Sequence, residues 1–475
     1  MLGSLIKKEI QTNVLSFRFM AIAALLLVVV PVTVLILTSD AVKKVEEYSL
    51  RRSGIETYLK SYAHFNRLHT VVEPSQPPLP SYALVRGISS DINIQEFDDD
   101  PLPVIFPLLD LTFVVAILLS LAALIFSYDA VCGEKEDGTL KLMLANGLPR
   151  AKIILGKIVG GTATLIVPFL LALVLGLIVI LLNPRIAWSG ADWASLAFLF
   201  LAAVLYILFF QILGVFISAR HHSSSASIMT SLCVWVLFIL VIPNLSPYLA
   251  SLASPTPSRI NVSRESNRLT DVERDDLGRK LEAEKMKELI KTYPALAENL
   301  SEAEAKARTE KDPAYREAVQ VRVKERDAAW EEANRIQNAK SNALWDNLSR
   351  KEEAQTKLSG TLSMVSPLAD FTYLSSDLTS TGLMNERHFK RLNEVWEQSY
   401  WDYVQAKVAS LQKKDPAVDW WNTPVDVSDM PRFLYKEEDL AARLKGTLSA
   451  FAVLAGLALA AFWAAYFSFR GYDAR

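Results

Sequence analysis

Six apolar runs, each about twenty residues long and nearly free of charge, constrain this chain more than any other feature. They lie at Phe19–Thr38, 105–128, Ile158–Leu182, Trp193–Ile217, Ala226–Leu245 and Thr447–Phe469. Each is long enough to cross a bilayer as a helix, which satisfies its own backbone hydrogen bonds in hydrocarbon. Hydrophobic residues make up 51% of the chain and mean hydropathy is +0.21, yet 21% of residues are charged, so the two kinds must be segregated. The expected fold is an all-α polytopic membrane protein with six transmembrane helices and a helical extracytoplasmic domain. A net charge of −2 with dispersed basic residues gives no reason to expect nucleic acid as a partner.

An even number of spans puts both termini on one side. Short loops there carry Lys7, Lys8, Arg18, five basic residues between 128 and 161, Arg220, Arg470 and Arg475, whereas the short loop opposite has Arg185 alone. The positive-inside rule then makes the N- and C-termini and the 129–157 loop cytoplasmic, and the polar segments 39–104 and 247–445 extracytoplasmic. Residues 1–18 place Leu2, Leu5, Ile6, Ile10 and Val14 at helical spacing with Lys7, Lys8 and Glu9 opposite, an amphipathic helix lying along the membrane. A signal peptide is disfavoured because the run that follows has span length.

Helical periodicity predicts helices over about 264–292, 314–358 and 386–412. Tyr315, Val319, Val323 and Trp330 stripe the second, and Phe389, Leu392, Trp396, Tyr400, Tyr403, Val404 and Leu411 the third, as helix-packing faces. Ser366-Pro367-Leu368 and the stretch 378–382 read as breakers. Segment 39–104 has a proline-rich tract at 74–80 and an acidic patch, Asp98-Asp99-Asp100. The two cysteines, Cys132 and Cys233, belong to the apolar runs or their ends, so the outer segments hold neither a disulfide framework nor a cysteine metal site. His221 and His222 point apart on a helix, with no acid or cysteine close by in sequence, and read as loop residues. Asp110 reads as an acid at headgroup depth, with a transport role as the alternative.

The central loop, Tyr128 to Gly161, reads YDAVCGEKEDGTLKLMLANGLPRAKIILGKIVGG. Acids at Glu134, Glu136 and Asp137 precede a Gly138-Thr139 break, a short helix with Leu140, Leu142, Met143 and Leu144, and a Gly147-Leu148-Pro149-Arg150 turn. Gly138 can end one helix, Thr139 can cap the next, and Pro149 can stop it. A helix this short needs something to pack on. Exposed Leu140 and Met143 point to a groove on another protein, with an interfacial helix on lipid headgroups as the alternative. Arg150 and Lys157 read as part of that contact or as interface anchors. Gly156-Lys157 does not complete a phosphate-binding loop, because Ala151 replaces the first required glycine and Ile158 the required Ser or Thr.

The ordered series Glu134, Glu136, Gly138-Thr139-Leu140, Pro149-Arg150 and Leu155-Gly156-Lys157, set between two spans, resembles the permease subunits of type 2 ATP-binding-cassette exporters. The amphipathic start and six-span plan extend the resemblance, and the 247–445 insertion matches a subgroup of them. The resemblance implies a non-catalytic membrane subunit with no cofactor of its own, whose loop helix docks on a separate subunit that binds ATP and Mg. It further implies a second permease copy (homodimer or paralogous heterodimer) above two ATP-binding subunits. The apolar spans contact membrane lipid and are compatible with export of a lipid-like or peptide substrate, and equally with mechanical work on a periplasmic partner. The partner-coupling residues it marks are Glu134, Glu136, Gly138, Thr139, Leu140, Met143, Pro149, Arg150, Gly156 and Lys157, with no catalytic or metal-ligating residue. Ionisable residues are sparse inside the spans, which weighs against an ion-coupled carrier. A non-transporting membrane scaffold or sensor is the rival reading.

Overall fold

The computed structural model describes residues 2–60, 63–66, 68, 74–87, 109–298, 300–415 and 418–471. Asp98-Asp99-Asp100, the beginning of the second apolar run and Arg475 lie outside the described residues. Six helices are long and apolar enough to cross a membrane: Phe17–Leu59, Leu111–Glu136, Arg150–Leu181, Gly190–Arg220, Ser224–Ala253 and Leu440–Arg470, here spans 1 to 6. With helices throughout and one two-residue strand pair among the described residues, the chain is an all-α polytopic membrane protein. It divides into two units, Met1–Pro243 with Met364–Arg475, and Asn244–Ser363.

In the first unit, span 4 is the centre. Ala202, Ala203, Tyr206, Ile207 and Phe210 are buried on it against spans 2, 3 and 6. The outward faces of the spans carry rows of exposed large apolar residues, among them Val28, Leu35, Leu171, Leu201, Leu240 and Leu459. Patches of that extent are stable only in contact with lipid or protein.

Periodicity did not announce one element of this unit. The stretch around Ser366-Pro367-Leu368, read as a breaker, begins the helix Pro367–Leu378, which packs between spans 4 and 6. The Ser366 hydroxyl donates to the carbonyl of Phe238, and the Phe371 ring lies 5.0 Å from that of Tyr206. Phe238 and Tyr206 are near the middles of their spans. At the helix's other end Ser375 accepts from Thr112 (3.0 Å) and the Thr379 carbonyl accepts from Ser81 (2.6 Å), level with the start of span 2. The helix is therefore re-entrant, running from mid-bundle to one end. Asp110 caps span 2, accepting from the backbone N–H of Phe113 (2.8 Å) and of Arg86 (3.3 Å).

The helix that begins as span 1 runs on to Lys60, and its end joins a small core of its own. Leu59, Phe65 and Leu68 pack with Tyr400, Val404, Val425, Val427 and Met430, and Ala63 pairs with Val425 in the antiparallel strand pair. Trp396, Tyr403 and Leu411 of the helix Leu383–Lys414 line the same core, so the aromatic stripe is packing surface.

The second unit is a helical hairpin. Arg259–Asn267, a π-turn at Arg268–Glu273 and Arg274–Thr292 run antiparallel to the 51-residue helix Pro313–Ser363. Arg259 pairs with Glu352 (2.8 Å), Ser266 with Ser341 (2.6 Å), Glu282 with Trp330 (3.1 Å) and Lys285 with Glu325 (3.0 Å). Leu296, Tyr315 and Ala318 close the tip. Val323, placed on the packing stripe by periodicity, is instead exposed.

Candidate functional site

The central loop folds as two short helices, Cys132–Glu136 and Thr139–Ala145, before Arg150 opens span 3. Gly138 makes the turn between them at φ +72°, a left-handed conformation that glycine adopts without a Cβ penalty. Gly138 therefore occupies the cap position expected for Thr139, whose hydroxyl instead donates back to the Glu134 carbonyl (3.4 Å). The second helix ends at Ala145, before Gly147 turns the chain, and Pro149 serves as the extended residue that starts span 3 rather than as a stop.

Three residues far apart in sequence meet behind this loop. The Lys157 ammonium, with its side chain only 4% exposed, lies 2.8 Å from Glu134 and 3.0 Å from Glu9, and Lys8 stands 3.8 Å from Glu134. The helix Leu2–Val14 can come this close because span 3 presents glycine. A Cβ at Gly156 would stand 3.1 Å from that of Leu5, and one at Gly160 would stand 2.7 Å from that of Glu9. Glu9 thus lies on the packed side of the amino-terminal helix, not on the polar side that the sequence pattern gave it. Lys157 is an internal tie, not an interface anchor.

Further contacts follow the electrostatics of helix ends, where anions suit amino termini and cations suit carboxyl termini. Glu136 accepts from the backbone N–H (3.0 Å) and the hydroxyl of Ser224 at the start of span 5. Lys135 donates to the carbonyls of Ala219 (2.6 Å) and His221 (3.0 Å) at the end of span 4. Arg150 donates to the carbonyls of Phe469 (3.2 Å) and Arg470 at the end of span 6. Ser218 accepts from the N–H groups of Val131 (2.9 Å) and Cys132 (3.0 Å), and Ser227 donates to the Tyr128 carbonyl (2.6 Å). Arg18, beside the start of span 1, pairs with Asp129 at 2.7 Å and donates to the Tyr128 hydroxyl at 2.8 Å. Sequence reasoning missed Glu9, Arg18, Lys135, Ser218 and Ser224. Arg18, Ser218 and Ser224 had one visible signal, their place at the ends of apolar runs, whereas Glu9 and Lys135 lie away from those ends.

The expected docking surface changes accordingly. Leu140 is wholly buried in the chain's own core and Met143 packs half-buried against it, so neither is the exposed anchor that the sequence pattern led one to expect. The amphipathic register of a seven-residue helix could not show which flank meets the bundle. Its outward rim is Asp137, Gly138, Thr139, Lys141, Leu142, Ala145 and Asn146, with Leu142 65% exposed.

The chain is similar, with 34% identity over 125 residues, to the "probable ABC transporter permease protein NosY" of Stutzerimonas stutzeri, covering 26% of this chain and 45% of that protein. It matches the protein of the same name from Pseudomonas aeruginosa with 31% identity over 132 residues, 28% of this chain and 48% of that protein. The chain thus spans about half the length of these curated relatives. The sequence pattern of the ABC-2 family transporter proteins matches residues 4–474, nearly end to end. The chain belongs to the ABC-2 family of transporter proteins.

Proposed function

We propose that this chain is the membrane permease subunit of an ATP-driven exporter in a bacterial cytoplasmic membrane. A separate subunit binds and hydrolyses ATP with Mg, and the 129–157 loop docks on it from the cytoplasmic side. The observation that carries this reading is the stitching of one loop to the amino-terminal helix, to Arg18 and to the ends of spans 4, 5 and 6. A partner that displaces the loop moves all of those ends together. For ATP to drive such a change, the two states of the membrane unit must differ in their contacts with the ATP-binding subunit. Glu134, Glu136, Arg150, Gly156 and Lys157 transmit the displacement, Leu140 and Met143 root the loop helix, and Leu142 with the 137–139 turn and Lys141 meets the partner. A second permease copy completes the pathway. The relatives named as permeases support this assignment.

Leu142→Asp tests the docking contact. Burying an uncompensated charge at an apolar anchor costs about 2 kcal/mol, roughly thirtyfold in affinity. Co-purification of the co-expressed ATP-binding subunit should fall by that factor while the melting temperature is retained, whereas Leu140→Asp should unfold the chain. Unchanged assembly of a folded Leu142→Asp variant refutes the docking role. Purification of the wild type without any ATPase favours the scaffold reading.

A further inference from the structure

The acid that the coupling scheme leaves unused is Asp370. It sits in the first turn of the re-entrant helix, is fully shielded from solvent, and neither carboxyl oxygen has a hydrogen-bond partner among the described residues. The helix amino terminus supplies none: Pro367 has no N–H to give, and the Ser366 hydroxyl is engaged with Phe238.

Nor does any packed neighbour bring a compensating charge. The span 4 side chain at this level is Tyr206, whose hydroxyl donates to the Ala116 carbonyl (2.9 Å), while Asp192 and Arg220 lie at that span's ends. Span 6 places Arg443 and Lys445 near its start and Tyr466 and Arg470 near its finish, and Arg443 faces Glu437 at 3.7 Å. Residues 111–119 and 237–241 include no ionisable side chain. Tyr373 and Asp377 on the same helix, and Glu386, Arg387 and His388 on the helix after it, lie toward or beyond its far end. None of these residues forms an ion pair with Asp370 among the described residues.

The cavity beside Phe371, on the neighbouring face of the helix, is lined by apolar residues such as Leu111, Val115, Phe169 and Leu196 and measures about 10 Å³, at or below the room one water needs. Burial without a partner favours the uncharged acid.

We propose that Asp370 is a proton-binding site inside the membrane unit, occupied while the re-entrant helix is seated between spans 4 and 6. The step is the reversible formation of one O–H bond. The proton comes from water as the helix seats, and it returns to water, leaving a carboxylate, when the helix moves and the site hydrates. The seated state is therefore favoured at low pH and loses this advantage as pH rises and the free carboxyl ionises. Any working cycle that unseats the helix carries a proton with it, whichever subunit supplies the energy.

The test uses the purified full-length chain in lipid nanodiscs, without an ATP-binding subunit, so it is independent of the permease reading. Infrared difference spectra at neutral pH of wild type against Asp370→Asn should show the C=O stretch of one protonated carboxyl, shifted in D₂O and lost in the variant. Asp370→Glu should keep the band at a moved frequency. Carboxylate bands in place of the acid band would show an ionised Asp370 and overturn the proposal. Should Asp370→Asn fail to fold, Asp370→Ser serves as the neutral reference. A second readout is the melting temperature from neutral to alkaline pH, which should fall further in wild type than in the neutral variant. Identical profiles would also overturn the proposal.

Discussion

Lys157→Met keeps the unbranched stem, one atom shorter, and removes the ammonium with its charge and its hydrogen-bond donors. In the wild type the ammonium stands 3.0 and 2.8 Å from two carboxylates whose side chains are 17% and 16% exposed. At an effective dielectric of about 20, each contact has a gross Coulomb energy of about 6 kcal/mol, much of it offset by desolvation of the three groups. The variant loses more than the net value of the pairs, because Glu9 and Glu134 are left facing each other, with Lys8 at 3.8 Å from Glu134 as the remaining ion-pair partner among the described residues. Breaking one member of a buried ionic set costs about 3–5 kcal/mol, and the residual water at both carboxylates argues for the low end, about 3 kcal/mol. Cys132, buried in the same loop, provides the assay. In a Cys233→Ser background, a thiol-reactive fluorogenic dye reports the temperature at which the loop opens. Adding Glu9→Gln and Glu134→Gln to Lys157→Met should restore most of the loss, since a neutral set has no uncompensated charge. A loss below about 1 kcal/mol for the single variant, or no recovery in the triple, would refute the view that this cluster clamps the loop.

Gly160→Leu should detach the amino-terminal helix, because even a Cβ there would meet that of Glu9 at 2.7 Å; limited proteolysis near residue 15 should speed up while the spans stay protected. Single cysteines at Thr139 and Ser301, in a chain lacking the native thiols, should label oppositely with an impermeant reagent in intact cells; equal labelling would end the six-span orientation. Burial pushes the Asp377 carboxyl up to about 6, against the N–H of Met384 (3.2 Å) and the charge of Arg387. The folded state therefore holds this proton more tightly than the unfolded chain. Its stabilisation is complete below the ordinary aspartate value and is lost as pH rises through about 6, by at most about 3 kcal/mol. Asp377→Asn should flatten the melting-temperature profile between about pH 4 and 6.

The six spans were legible because about twenty uncharged residues in a row admit few other folds. The re-entrant helix was not. Pro367–Leu378 is 12 residues long with serines and two aspartates, too short and too polar to announce a place in a membrane, and only its neighbours make that place habitable. The central loop was marked by the right residues with several roles misplaced. Glu134 and Lys157 were singled out separately, yet nothing in a linear reading joins them to Glu9, which lies 148 positions before Lys157. Leu140 and Leu142 are equally apolar two positions apart, and only the bundle beneath decides that the first is hidden and the second shown.

The small core that joins the end of the first long helix to the 396–430 region has a kinetic consequence. Asn66 and Asn422, which bond at 2.7 Å, are 356 positions apart. At about 5–20 residues per second, ribosomal synthesis leaves Leu59, Phe65 and Leu68 without their partners for some tens of seconds. Throughout that interval the nascent chain displays an apolar edge in whichever compartment receives it. A holdase or a protease there has time to act before the module closes, so the yield of finished molecules depends on how fast translation reaches Tyr400 as well as on final stability.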